Sequence, residues 1–470
     1  MSLQQTLLGR FSSLESDVPA AGGVADALEV GQVVDEDGAQ LDGENLAEND
    51  LIEASEEAEV VEEGAEESEL LAETAESLES FLSAAQAAKK QGGWTSQEAA
   101  AYELGINVVM SRLGGDARDV MPSLESFGSS RERINATASV ENRITDTLKK
   151  IWEAIKRAVN KVVAFVRKWY LKIADGATRL KKRAEAIRKK AENTTGSAKE
   201  KKIRTALSGL HVNKNMPNAS ELKSHLDKMT EVVKSCTSGK LSKNFSQNCD
   251  DVVQAIEARV EAKSGSTAGL SSLLEVNTPI ASHFSDDSTV LAKFPGAADG
   301  STGKSIGELP GGKKLALVIP KSTQDGKAKD INNAARVVMK VALVDASQQK
   351  VEIDSSKEVA ILEPSQVASL ADAVIDLCDS VIDYRKEFEN YERKTKDTLS
   401  KIDKISGKAT KGDSEKENAS LEIVRAVANY AGASIRNYGS STTTVINYGL
   451  GLARNVLVYG NSSLNQYKAD

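Results

Sequence analysis

The chain is poor in the residues on which most large folds and most catalytic sites are built. Aromatics make up 4% of its 470 residues, although apolar residues reach 40%. Phe, Tyr and Trp carry much of the burial in a conventional core, so their scarcity argues against one large globular unit. Length alone allows about three domains of ~150 residues. The three cysteines, Cys236, Cys249 and Cys378, cannot build a disulfide framework and fit a reducing compartment. The three histidines, His211, His225 and His283, exclude a His-rich metal site and a His-based catalytic array. No apolar run approaches the ~18 residues of a membrane-spanning helix. The start, MSLQQTLLGR, lacks the basic and apolar regions of a secretion signal.

What is present is charge, and it is segregated. Met1–Gln86 holds 23 acidic residues and one basic residue, Arg10, whereas Arg143–Arg204 holds 20 basic and 6 acidic residues. The remainder, Thr205–Asp470, is electroneutral. Such asymmetry points to parts with different partners. The acidic front, with runs such as SEEAEVVEEGAEESE, buries too little apolar surface to offset its ordering entropy and reads as largely disordered.

The front also carries a repeat. Ser-Leu-Glu-Ser occurs at Ser13–Ser16, Ser77–Ser80 and Ser123–Ser126, the last two followed by Phe81 and Phe127. Roughly 0.02 copies of one tetrapeptide are expected by chance. A fourth Ser-Leu-Glu, Ser420–Glu422, runs into an apolar helical pattern that should protect it. The repeated sites resemble the Ser/Ala/Gly-x-Glu pattern cut by the prohead protease of phiKZ-like giant tailed phages. An acidic leader ahead of a basic body is similar to their internal head (inner-body) proteins. That resemblance implies a non-enzymatic virion protein in the head interior, present in the host cytoplasm during assembly. It would be trimmed after Glu15, Glu79 and Glu125, and would meet the prohead protease, other head proteins and genomic double-stranded DNA without sequence readout. Met1–Glu125 carries 28 acidic and 5 basic residues, −23, out of a total of −9, so a cut after Glu125 leaves +14.

The basic segment Ile144–Ala191 has apolar residues at Ile144, Leu148, Ile151, Ile155, Val159, Val162, Val166, Trp169 and Ile173, all on one helix face. Asp175-Gly176 reads as a break. The polar side carries Lys149, Lys150, Lys156, Arg157, Lys161, Arg167, Lys168, Lys172, Arg179, Lys181, Lys182, Arg183, Arg188, Lys189 and Lys190. Three readings compete: a solvated face, a nucleic-acid backbone interface, and an interfacial helix on an anionic membrane. Trp152, Phe165, Trp169 and Tyr170 among the cations are compatible with the last.

The organisation expected is a leader over 1–125, a basic amphipathic helical region over 126–205, a helical hairpin over 206–277, a small β-rich domain over 278–363 and a long-helix hairpin over 364–470. The fold class is mainly α with a small antiparallel β domain (α+β). The hairpin comprises Glu221–Ser235 and Asp250–Ala262, with a cap from Asn218 or Ser220. Strands are expected at Lys314–Ile319, Val337–Leu343 and Val359–Leu362, and a weaker one at Gln349–Ile353. Val367, Leu370, Val374, Leu377, Val381, Tyr384, Phe388 and Tyr391 predict one long helix, coiled-coil-like and suited to self-association. A second stripe runs from Ile423 to Tyr459, weakened by Gly439 and Gly449–Gly451.

Other motifs fall away. Ala298–Ser305 imitates a phosphate loop but is followed by Ile306-Gly-Glu-Leu-Pro-Gly-Gly, which cannot form the required helix. His283 with Asp286 and Asp287 lacks a metal spacing, as do Cys236 and Cys249. Asp372, Asp376, Asp379 and Asp383 read as a solvated helix flank. No cofactor, metal or catalytic residue is expected. Two further readings stand beside the head protein: a co-ejected protein with a membrane-active helix, and an unprocessed cytoplasmic coiled-coil interaction protein.

Overall fold

The computed structural model describes residues 70–203, 208–213, 215–237, 239–262, 270–274, 279–294, 297–321, 327–346, 358–409 and 415–467. Helix α1 occupies 70–90, within the expected leader. It buries Leu71, Leu78, Leu82 and Ala85. A turn at Gly92 and Gly93 leads to α2, Ser96–Arg112. Thr95 caps α2 reciprocally with Glu98: the Glu98 N–H donates to Thr95 Oγ1 (3.2 Å) and the Thr95 N–H to Glu98 Oε2 (2.8 Å). Residues 70–125 are therefore folded onto the body. This corrects the disordered leader over that stretch, because one amphipathic strip supplies enough apolar surface to dock. Residues 1–69 lie outside the described residues.

Helix α3, Ser130–Asn193, is 64 residues long and opens with the same device between Ser129 and Glu132. The expected break at Asp175-Gly176 is absent. Gly176 is buried within a continuous helix, so tertiary packing outweighs the ~1 kcal/mol propensity cost of a helical glycine. Strand β1, Lys202–Ile203, follows. Helices α4, Ala219–Thr237, and α5, Lys240–Ala262, form the expected hairpin. The stretch 236–249 between the two expected helices is itself mostly helical, because Leu241, Phe245 and Cys249 supply an inward face. Asn218 caps α4 in exchange with Glu221 (3.0 and 2.9 Å).

Strands β2 (Ser285–Asp286), β3 (Thr302–Ser305), β4 (Lys313–Ile319) and β5 (Val341–Asp345) form an antiparallel sheet in that order. Side chains of β4 alternate between two cores. Leu315 and Leu317 join the main core, whereas Ala316 and Val318 meet Val290, Phe294 and Val337. The expected strand Val337–Leu343 is corrected: its start ends helix α6, Ala328–Val337. Ile331 and Ala334 of α6 point into the main core. Strand β6, Val359–Ala360, pairs with β1 rather than joining the sheet. Gln349–Ile353 falls outside the described residues. The imitation phosphate loop runs into strand β3 with no helix after it.

The predicted long helix divides into α7, Pro364–Ile382, and α8, Arg385–Ala409. The division lies where Tyr384 is fully buried edge-on to Tyr170 (5.6 Å). Helix α9, Glu415–Leu464, runs unbroken for 50 residues through its glycines and packs against α3 through α8. A Cβ on Gly439 would lie 2.9 Å from Tyr391 Oη and 3.2 Å from Val166 Cγ2, so its lack of a side chain admits both neighbours. Ser420–Glu422 lies within α9. Tyr391, Tyr438 and Phe245 stack beside Gly439 at 4.5–5.4 Å. One aromatic cluster thus lies where α3, α5, α8 and α9 meet, and a second joins Phe81, Trp94 and Tyr102 around α1 and α2.

Candidate processing sites and nucleic-acid interface

The repeated tetrapeptides fall in different surroundings. Ser13, Glu15 and Ser16 lie outside the described residues. Ser77, Glu79 and Ser80 sit in the middle of α1. Ser77 Oγ donates to the Glu73 carbonyl (3.0 Å) and Ser80 Oγ to that of Glu76 (3.4 Å). Leu78 is fully buried. The Glu79 carboxylate faces Arg425 Nη1 of α9 at 3.6 Å, and burial pushes its pKa up to about 8 against the pull of that guanidinium. A protease needs extended, accessible backbone, and this site offers neither. Ser123, Glu125 and Ser126 are exposed instead, on a short 3-10 turn, Leu124–Phe127, between α2 and α3. Only Phe127 of that turn is buried.

The cations of α3 divide into two flanks on either side of its buried apolar face. One flank faces α7 and α8. There Lys156 Nζ meets Asp403 at 2.7 Å, Arg167 meets Glu392 at 3.4 Å, Lys181 meets Asp379 at 2.7 Å, and Arg188 meets Asp372 at 3.0 Å. The acidic residues read as a solvated flank are in part the counter-charges of this interface. Hydrogen bonding to Asp379 raises the Lys181 pKa, and hydrogen bonding to Asp372 raises that of Arg188. Lys149 pairs with Asp146 of its own helix at 3.2 Å.

The other flank carries Lys150, Arg157, Lys161, Lys168, Lys172, Arg179, Arg183 and Lys190. Lys150, Arg157, Lys168 and Lys190 are exposed and the other four half-buried. Lys161 Nζ lies 5.9 Å from the Phe165 ring centre, and Lys190 Nζ donates to Asn461 Oδ1 and Asn465 Oδ1 (3.0 and 2.6 Å). Lys182 and Lys189 are also exposed, next to this row. The row advances in steps of 7, 4, 7, 4, 7, 4 and 7 residues, an eleven-residue period. That spacing was available in the sequence, although Lys182 and Lys189 lie outside it.

The apolar face of α3 is consumed by packing. Trp169 and Tyr170 are buried, and Trp169 Nε1 donates to Asn447 Oδ1 of α9 (2.9 Å). An interfacial helix inserts its apolar face into lipid, and here that face is turned inward. Among the described residues no helix is long and apolar enough to cross a membrane, and no group of three or more His, Cys, Asp or Glu residues is placed to hold a metal ion. Cys236, Cys249 and Cys378 are buried, and burial raises each thiol pKa to about 12. That makes them inert rather than nucleophilic.

The family model of phiKZ-like phage internal head proteins matches residues 46–455 of this chain. The chain belongs to that family. As an internal head protein it is a structural component of the phage, located in the head interior, where it is associated with other head components. No curated protein and no solved structure matches it.

Proposed function

We propose that this internal head protein is packaged as an acidic-led precursor, is cut by the prohead protease after Glu125, and lays the outer cationic flank of α3 against packaged DNA. The observation that carries the reading is the division of labour on α3. Its apolar face and one charged flank are spent on the fold, and Lys150, Arg157, Lys168, Lys182 and Lys189 are exposed away from them. Phosphate neutralisation with counterion release needs such cations and no base readout. The exposed Ser-Leu-Glu-Ser turn lies at the foot of the same helix, about 30 Å below Lys150 at 1.5 Å per residue. Glu79 is protected in the folded chain, and cleavage there requires α1 to unwind.

The test is the N-terminal sequence and intact mass of the protein recovered from finished particles. A chain break with a new terminus at Ser126 is expected. An unbroken 123–126 segment in finished particles overturns the processing step. For the DNA contact, the measurement is binding to duplex DNA under salt titration. Affinity that does not fall as salt rises from ~50 to ~200 mM contradicts it.

A further inference from the structure

Helix α2 is apolar on two opposite sides. Its inner side buries Ala99, Ile106, Val109 and Met110 against the body. Its outer side carries Gln97, Ala101, Leu104, Val108, Ser111 and Arg112, all exposed, Leu104 at 73% and Val108 at 60%. Steps of 4, 3, 4 and 3 from 97 to 111 set these residues along one face. No carboxylate lies on that face, in a chain that is 27% charged. A helix apolar on opposite sides is covered on both in a finished assembly, and within this chain α2 is covered on one.

The other long stripes are spent inside the chain. The stripe from Val367 to Tyr391, expected to serve self-association, is buried, as are those from Ile144 to Ile173 and from Ile423 to Tyr459. Among the described residues the remaining exposed large apolar side chains, Leu124, Ile134 and Leu171, stand singly.

The outer face of α2 is complementary to itself. When a second α2 is set antiparallel about a two-fold axis beside residue 104, Leu104 meets Leu104 and Val108 meets Ala101, whose small side chain admits close approach. Arg112 comes level with Gln97 and Glu98 of the second copy, on the same flank, so opposite charges meet at both ends. Arg112 lies 4.0 Å from Glu73 of its own chain with its side chain 46% exposed, and a guanidinium carries enough donors for two carboxylates. A parallel pair would instead set Arg112 beside Arg112. An unlike partner requires no such match between the two ends of one helix.

We infer that α2 is a contact between two copies of this chain, paired antiparallel with Leu104 on Leu104 and Val108 on Ala101. The 17-residue helix is about 25 Å long. The patch is therefore small, and the interface belongs to the transient class, below ~1,200 Å² in total.

The test uses the full chain. Sedimentation velocity is expected to show monomer at about 10 µM and a growing share of dimer toward about 1 mM, as a transient contact requires. Leu104→Lys changes an exposed position, so melting temperature and circular dichroism should be unchanged while the dimer is lost. Register is read by cysteine cross-linking under mild oxidation. Leu104→Cys places its two copies beside the axis and is expected to form a disulfide dimer well ahead of Gln97→Cys, whose copies lie about 15 residues, or about 22 Å, apart. The native cysteines are buried and do not compete. Equal cross-linking rates for the two variants overturn the antiparallel pairing. A wild-type chain that stays monomeric across the whole range, or a Leu104→Lys variant that dimerises as the wild type does, overturns the inference.

Discussion

A cut after Glu125 does not by itself free what lies before it. Helices α1 and α2 are held to the body by buried Leu71, Leu78, Leu82, Ile106, Met110 and Leu113. Polar ties join them to the rest: the Trp94 N–H donates to Thr137 Oγ1 of α3 (3.0 Å), Glu73 pairs with Arg336 of α6 (2.8 Å), and Lys89 pairs with Glu141 of α3 (3.0 Å). The nicked protein should therefore persist as a two-chain complex. Leu78→Ala tests this at the centre of α1. Truncating a fully buried leucine costs about 2–5 kcal/mol, lost transfer energy plus a cavity. In the nicked complex that loss appears in the dissociation constant, as a weakening of about 30-fold to several thousand-fold. The assay is digestion with a glutamate-specific endoprotease followed by native mass spectrometry and size exclusion at micromolar concentration. The fragment holding 70–125 is expected to co-elute with the body in the wild type and to separate in Leu78→Ala. Separation of the wild-type fragments without denaturant would refute the reasoning.

Four further outcomes follow from the geometry. Glu79 has a folded-state pKa raised above its ordinary value, so its contribution to stability is full below about pH 4.5 and is lost as pH rises through about 8. Glu79→Gln should flatten that fall, by about 2–5 kcal/mol between pH 5 and 9 in urea titrations, and an unaltered pH profile would contradict the burial argument. Gly439→Ala places a methyl 2.9 Å from Tyr391 Oη, and this overpacking should cost about 1–3 kcal/mol in chemical denaturation. Gly93 has φ +82, and a Cβ there would sit 2.4 Å from the Arg133 carbonyl carbon; Gly93→Ala should loosen the α1–α2 turn, read as faster proteolysis near residue 93. Asp372→Asn with Asp379→Asn releases Arg188 and Lys181 from their counter-charges; stability should change by less than about 1 kcal/mol per pair, while the salt slope of DNA binding should steepen if either cation reaches phosphate.

Much of the fold was legible because the helices carry periodic apolar faces. The face from Ile144 to Ile173 and the stripe from Ile423 to Tyr459 are both realised in helices longer than local propensity favours. Gly176 and Gly439 misled the local reading for one reason: each is buried within a packed helix, and tertiary packing overrides propensity. The strand expected at Val337–Leu343 failed on a different ambiguity. A short apolar run fits a helix end and a strand equally well, and α6 gained its first turns from Ala328 to Ala334, which composition alone did not mark. Of the candidate site, the cations and the tetrapeptides were legible as lists. Their division was not. Whether Lys181 or Lys182 faces an aspartate depends on where α7 lies, and Glu79 is shielded because α1 folds as a helix and docks with Glu79 against Arg425 of α9.

The positions of the three tetrapeptides set a condition on charge inversion. Met1–Glu15 holds one basic and one acidic residue, so a cut after Glu15 changes no net charge. A cut after Glu125 changes none either, so long as α1 and α2 stay docked. Residues 1–69 hold 20 acidic residues and one basic, and 70–125 hold 8 and 4. Most of the negative charge is therefore upstream of the docked helices. The protein can become strongly basic in two ways. Either the docked piece leaves, uncovering the apolar strip on the body that α1 now covers, or a further cut falls between 16 and 69 and discards the acidic run while the clamp remains. The second route costs no buried surface and leaves residues 70–470 at +10, since −9 less −19 is +10. Native mass spectrometry of particle-derived protein separates the routes. A complex of Ser126–Asp470 with a fragment beginning between 16 and 70 is expected. A lone Ser126–Asp470 chain would mean instead that another head component covers the strip, and that component should then co-purify with the body.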